Sequence, residues 1–166
     1  VAGDVWITNS GTRITLPAAF TNGAMSNRVW ISCSNLTIAP GASIDVNEKG
    51  YAAGSGSGHG TGSAPYAGGS GYGGNGSEWF DAPGYYYHQG GLPYGSITEP
   101  LDPGCGSKYA GYGAGGGAVR IEATGQVTVD GTIVANGGAP DVSYSGGTGG
   151  GIYIVCKTFS GSGVVA

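Results

Sequence analysis

Residues 118–135 read AVRIEATGQVTVDGTIVA and contain three short apolar segments. These segments are Val119-Arg120-Ile121, Val127-Thr128-Val129 and Ile133-Val134-Ala135. Polar and apolar residues alternate in the first two, which is the period-two pattern of a β-strand. Small turns such as Asp130-Gly131 separate the segments. The stretch therefore predicts three short strands joined by tight turns.

The same three-strand unit occurs again on both sides of this stretch. Upstream it reads Val29-Trp30-Ile31, Leu36-Thr37-Ile38 and Ile44-Asp45-Val46. Downstream it reads Ile152-Tyr153-Ile154, then Phe159, then Val164-Val165-Ala166. Pro40-Gly41 and Ser160-Gly161 supply turns at matching places. Two less regular segments, Val5-Trp6-Ile7 and Ile14-Thr15-Leu16, precede these sets and predict the start of a fourth.

This repetition predicts an all-β fold without helices, a three-sided parallel β-solenoid (β-helix) of about three to four rungs. One rung cannot bury its own apolar face, whereas rungs stacked at roughly 4.8 Å bury it and form hydrogen-bonded ladders. A β-sandwich with the same alternation is the alternative, but it does not require strand sets that recur in the same order. We expect one domain over residues 1–166.

Two insertions interrupt the repeat after the third strand of a rung, over residues 47–117 and 136–151. Insertions at one corner of a solenoid collect on one face. The longer one is rich in glycine and tyrosine. Because a structureless loop of this length is unusual in a compact domain, we expect tight glycine turns or extended segments pinned by tyrosines.

Several sequence segments resemble the glycine-rich modules of very large secreted bacterial surface proteins. They are Tyr94-Gly95-Ser96-Ile97-Thr98-Glu99-Pro100, the run from Gly113 to Ala123, the run from Val127 to Gly138, and Ala42 to Tyr51. The resemblance extends from about Leu36 to the last residue. It implies an exported β-helical repeat unit and brings no catalytic residues with it.

The composition argues against several classes of function. The chain has 38 glycines in 166 residues, 10% charged residues and a net charge of −4, so it lacks the basic surface that nucleic acids need. No apolar run approaches the roughly 20 residues of a membrane-spanning helix. The acidic residues are scattered, and Asp45, Arg120 and Tyr153 are expected on different faces. We therefore predict neither an enzyme nor a cofactor.

Calcium is the one metal for which the sequence offers weak candidates. Glu78 and Asp81 flank an aromatic pair, and Glu99 and Asp102 follow shortly after. Carboxylates and loop carbonyls are the ligands that calcium prefers.

The three cysteines, Cys33, Cys105 and Cys156, leave one unpaired if a disulfide forms. Cys33 and Cys156 are predicted at equivalent positions two rungs apart, about 9.6 Å, which is too far for a disulfide. Cys105 is therefore the candidate to pair with Cys33 or Cys156, or between subunits. Asn35 and Asn75 each begin an N-glycosylation sequon.

Four aromatic residues of the long insertion are candidates for stacking on a sugar. They are Trp79, Tyr85, Tyr86 and Tyr87. Such rings can instead pack against glycine backbone with the hydroxyl in water, and we expect this buried arrangement. Glycan binding, as in an adhesin, remains the alternative function.

Both ends of the predicted repeat are strands without a cap. Val5, Trp6 and Ile7 lie at one end, and Val164, Val165 and Ala166 lie at the other. An uncapped end exposes backbone hydrogen-bonding groups and an apolar cross-section, which favours pairing with another copy. We therefore predict an extracellular or cell-surface structural protein, a filament subunit or a module of a longer solenoid, that forms head-to-tail homopolymers.

Overall fold

The computed structural model describes residues 3–21, 27–63, 66–80, 87–109, 113–139 and 145–166. Within these ranges all regular structure is β-strand, and none is helix. The strands are β1 (Val5–Ile7), β2 (Arg13–Ile14), β3 (Arg28–Cys33), β4 (Leu36–Ile38), β5 (Ser43–Asp45), β6 (Gly62–Ser63), β7 (Tyr66–Ala67), β8 (Trp79–Phe80), β9 (Tyr87–His88), β10 (Ala118–Ala123), β11 (Gln126–Val129), β12 (Thr132–Val134), β13 (Ile152–Val155), β14 (Thr158–Ser160) and β15 (Val164–Val165). The predicted all-β class is confirmed.

Eleven of these strands form three parallel sheets. The strand orders are β3-β10-β13 in the first sheet, β1-β4-β11-β14 in the second and β2-β5-β12-β15 in the third. Three sets of strands, β3-β4-β5, β10-β11-β12 and β13-β14-β15, each contribute one strand to the first, second and third sheets, in that order. All pairs within these sheets are parallel, whereas a β-sandwich is built from antiparallel sheets.

The register aligns the repeated segments position by position. In the second sheet Val5 pairs with Leu36, Leu36 with Val127, and Val127 with Phe159. In the third sheet the equivalent column is Ile14, Ile44, Ile133 and Val165. A one-residue slip would turn every apolar side chain outward, so the alternation itself fixes this register.

The apolar columns point inward and form the core. Leu36, Ile38, Ile44, Ile121 and Ile133 have no exposed surface. Each such side chain contributes about 1.5–3 kcal/mol relative to an exposed one. The core is therefore richest in the inner strands of the three sheets, which are β4, β5, β10, β11 and β12.

The two predicted insertions contact each other as extended, glycine-rich segments. Successive residues bond to different neighbours: the N–H of Gly115 donates to the Tyr51 carbonyl, that of Gly116 to Thr148 and that of Gly117 to Val46. This rotation is the pattern expected of polyproline II-like chains, which turn every three residues and have no internal hydrogen bonds. We call the described parts of residues 47–117 and 136–151 the glycine region.

Glycine is required in this region because segments approach backbone to backbone. A Cβ added to Gly116 would lie 1.8 Å from the carbonyl oxygen of Ala135. One added to Gly91 would lie 1.6 Å from the carbonyl oxygen of Gly58. No side chain fits at such distances.

Aromatic side chains close the glycine region at its sides. The rings of Tyr72 and Tyr94 meet edge to face with centroids 5.0 Å apart, and the Tyr94 hydroxyl donates to the carbonyl of Pro103. The ring of Tyr51 packs 4.5 Å from that of Phe20. Burial raises the pKa of Tyr72 to about 12 and also raises the pKa of Tyr94.

Two short antiparallel hairpins belong to the longer insertion. β6 pairs with β7, and β8 pairs with β9. The second hairpin sets Trp79 opposite His88 and Phe80 opposite Tyr87.

Candidate functional site: the open strand ends and the aromatic hairpin

The strands β13, β14 and β15 form one open end of the parallel sheets. Each pairs on one side only among the described strands, with β10, β11 and β12 respectively. Large apolar side chains are exposed here, namely Val155, Phe159, Val164 and Val165. The backbone of Ala166 continues the third sheet, since its N–H donates to Ile133 and its carbonyl accepts from Ala135.

The strands β1, β2 and β3 form the opposite open end. In the described part of the chain β1 pairs only with β4, β2 with β5 and β3 with β10. A depression of about 410 Å³ opens at this end and is lined by Val5, Ile14, Trp30, Ile31 and Ser32. This end is therefore apolar as well as unpaired.

The predicted assembly residues at this end divide into two groups. Trp6 is 66% exposed, so its side chain is free at the surface. Ile7 is only 4% exposed, so its backbone groups, and not its side chain, are available for a contact at this end. The reason is strand alternation, because Ile7 pairs with Ile38 and points into the core beside it.

A polar column runs beside the second sheet between the two ends. The Asn35 amide donates to the Asp4 carboxylate at 2.8 Å, and the Gln126 N–H donates to the Asn35 side-chain oxygen at 2.8 Å. Both the amide nitrogen and the side-chain oxygen of the sequon residue Asn35 are therefore hydrogen-bonded. Asn75, the other sequon residue, is exposed.

The outer face of the first sheet carries a row of charged and aromatic side chains. Trp30 and Tyr153 pair in register on either side of Arg120, whose guanidinium carbon lies 4.8 Å from the Trp30 ring and 5.9 Å from the Tyr153 ring. The expectation that Arg120 and Tyr153 lie on different faces is wrong, because both occupy outward positions of one sheet.

Glu122 joins two members of this row, Trp30 and Arg120, through hydrogen bonds. Its carboxylate accepts hydrogen bonds from Arg120 and from the Trp30 indole N–H. These two donors, Arg120 first, lower the pKa of Glu122. The cluster is thus internally paired.

The β8–β9 hairpin presents an aromatic surface. Trp79, Phe80 and Tyr87 are 45%, 62% and 53% exposed, so the expectation that these rings are buried is wrong for Trp79 and Tyr87. The Phe80 and Tyr87 rings lie 5.3 Å apart, and the Tyr87 hydroxyl donates to Glu78. Tyr66 stacks on Trp79. The glycan candidates Tyr85 and Tyr86 lie outside the described residues.

The weak calcium candidates do not converge in the part of the chain that the structure describes. No group of three metal-binding side chains occurs among these residues. Glu78 accepts from Tyr87, and Glu99 accepts from Tyr153 at 3.4 Å. Asp102 lies beside Tyr72, and Asp81 lies outside the described residues.

All three cysteines are free in the structure, so the predicted bridge from Cys105 to Cys33 or Cys156 is not formed. The physical reason is their separate surroundings. Cys33 is part of the strand core, whereas Cys105 is buried in the glycine region, where its thiol donates to carbonyls of Ser55 and Gly106. Burial raises the pKa of Cys105.

No protein-family profile matches this chain, and neither a curated protein nor a solved structure matches it. The described residues include no helix long and apolar enough to cross a membrane. The open strand ends and the aromatic hairpin are the features of this chain that bear on its function.

Proposed function

We propose that this chain is a parallel β-solenoid that stacks head to tail, as a filament subunit or a module of a longer solenoid, in an extracellular or cell-surface structure. The observation that carries the proposal is the pair of open, apolar strand ends. Val155, Phe159, Val164 and Val165 are exposed at one end, and the depression lies at the other.

The sheet order supports the solenoid architecture. Each trio of strands passes through the first, second and third sheets in turn, and its side chains continue the same inward columns. An architecture of this kind cannot cap itself by repetition alone. Its terminal edges need a cap or a further copy.

The chemistry of the surface favours a structural role over catalysis. The acidic side chains Asp45, Glu78 and Glu122 are each engaged by a neighbouring side chain. The surface location is inferred from the resemblance to glycine-rich modules of secreted proteins. We propose no cofactor and no enzymatic activity.

Negative-stain electron microscopy in non-reducing buffer tests the proposal. We expect unbranched filaments whose number rises with protein concentration. Val165→Lys places a charge on the exposed third-sheet edge and should abolish them, whereas Thr128→Lys, on the outward face of the second sheet, should not. Dispersed monomers at high concentration would overturn the proposal.

Glycan binding by the β8–β9 hairpin is the second candidate. It is favoured by the exposure of Trp79, Phe80 and Tyr87 beside the Glu78 carboxylate, since aromatic faces with adjacent polar atoms suit a saccharide ring. A glycan array tests it. Binding that Phe80→Ala abolishes and Trp6→Ala retains would support this function, and no binding to any glycan would exclude it.

A further inference from the structure

The geometry points to one register for the contact between copies: β14 of one copy pairs with β1 of the next, and β15 pairs with β2. This inference rests on the proposed head-to-tail stacking and specifies its interface. It assigns the occupant of the apolar depression to a second copy of this chain. It also predicts which sheet contributes no contact.

The second sheet defines the first contact. Val5, Leu36, Val127 and Phe159 form one inward column, with Val5 and Phe159 at its two ends. Adding a copy at the strand spacing of about 4.8 Å continues the column and sets Phe159 against Val5 of the next copy. Phe159 is 55% exposed in the single chain, so this contact buries a large ring.

The third sheet gives the same result independently. Its inward column ends in Ile14 at one end and in Val165 at the other. Continuation sets Val165 against Ile14 of the next copy. Val5 and Ile14 both line the depression of about 410 Å³, so the two incoming side chains enter one cavity.

Charge at the corner of the second sheet agrees with this polarity. Backbone hydrogen bonds join Lys157 to Gly125, Gly125 to Ser34 and Ser34 to Gly3, which defines one column. Stacking therefore brings Lys157 next to Asp4, the neighbour of Gly3, in the following copy. Both side chains are exposed, so an attraction forms between opposite charges. A head-to-head contact would instead bring together the Lys157 ends of two copies, with no Asp4 opposite either lysine.

Among the described strands, the first sheet has no strand at the level of β1 and β2 and so forms no ladder across this contact. β1 and β2 extend one strand beyond β3, whereas β13, β14 and β15 all end at the same level. Stacking in the other two sheets leaves β13 and β3 of the next copy about 9.6 Å apart, two strand spacings. Among the described strands, the contact therefore continues the second and third sheets and leaves β13 without a neighbouring strand from the next copy in the first sheet.

Cysteine cross-linking tests this register. Ser160 lies above Thr128, Thr37 and Trp6 in one outward column, so the Trp6→Cys/Ser160→Cys pair should lie about 4.8 Å apart across the contact, within disulfide range. In a Cys156→Ser background, mild oxidation should convert most of the protein to a ladder of covalent multimers on a non-reducing gel.

The matched control is Trp30→Cys/Tyr153→Cys, also an outward column but in the first sheet. Its predicted separation of about 9.6 Å exceeds the disulfide limit of roughly 7 Å, so it should give less than a tenth of the ladder. If filaments form but both cysteine pairs give an equal ladder, or only the control pair gives one, the proposed register is wrong. Head-to-tail stacking itself would still stand. Absence of filaments would overturn both.

A measurement without new cysteines keeps the inference falsifiable if Trp6→Cys does not fold. Phe159→Ala should raise the protein concentration needed for assembly at least tenfold, because it empties the cavity. Val155→Ala, at the first-sheet end, should change that concentration less than twofold. Equal effects of the two substitutions would contradict the register.

Discussion

The strand core and the glycine region exclude water in opposite ways. In the core, side chains such as Leu36 and Ile44 fill the space between sheets. In the glycine region, backbones such as those of Gly58 and Gly91 meet directly, and hydrogen bonds replace side-chain contacts. One region is therefore specified by the side chains it contains and the other by the side chains it lacks. Removal of a methyl group should harm the first, and addition of one should harm the second.

The largest expected effect is that of Gly91→Ala. The new Cβ would lie 1.6 Å from a backbone oxygen that no rotamer change can move, so the segments must separate. We expect a loss of more than about 4 kcal/mol, at the extreme for single substitutions, or a failure to fold. Urea unfolding followed by tyrosine fluorescence measures it.

Gly74→Ala is the matched control, because a Cβ there has no atom within 4 Å. Its unfolding midpoint should match that of the parent protein. If both alanines behave alike, the close approach of backbones does not hold the glycine region together.

The next largest effect is that of Ile44→Ala in the core. Ile44 is fully buried between Ile14 and Ile133 in its column, and its truncation should cost about 2–5 kcal/mol. The outward Thr128→Ala should stay within about 0.5 kcal/mol. Urea denaturation monitored by far-ultraviolet circular dichroism distinguishes the two, and equal losses would contradict an inward column.

Alkaline pH should affect the glycine region before the core. Burial raises the pKa of Tyr72 to about 12 and raises that of Tyr94, whereas an unfolded tyrosine ionises near pH 10. Their contribution to stability is complete below about pH 10 and is lost as pH rises through the folded pKa. Absorbance at 295 nm should show a late-ionising fraction of the tyrosines that is smaller in Tyr72→Phe/Tyr94→Phe.

The smallest effect belongs to Glu122 on the first sheet. Arg120 and Trp30 lower its pKa, so the contribution of Glu122 to stability is present above the ordinary glutamate pKa and is lost as pH falls through the lowered one. Carboxyl NMR titration should show a low pKa that returns toward the ordinary value in Arg120→Ala. An unchanged value would contradict the ion pair.

The strand core was predictable because its information is local and repeated. Alternation marked which face of each strand is buried, and recurrence aligned Leu36 with Val127 and Ile44 with Ile133, as the register confirms. The same periodicity predicts that Ile7, two residues after Val5, points inward, and Ile7 is buried.

The aromatic and glycine contacts were not predictable in the same way. Gly91 meets Gly58, 33 positions away in the sequence, and neither residue has a side chain that specifies the other. Trp79 and Tyr87 are exposed because their two-residue strands form a hairpin with little area to cover them. Burial of such rings depends on long-range packing, which no local pattern records.

The exchange of hydrogen bonds among glycine segments has a consequence for how the protein is observed. Residues 113–117 have no strand or helix, yet the amides of Gly115, Gly116 and Gly117 all donate to carbonyls of other segments. A spectrum that reports average backbone angles would count such residues as unstructured. Amide hydrogen exchange would count them as protected. In this protein, order and regular secondary structure are therefore separate quantities.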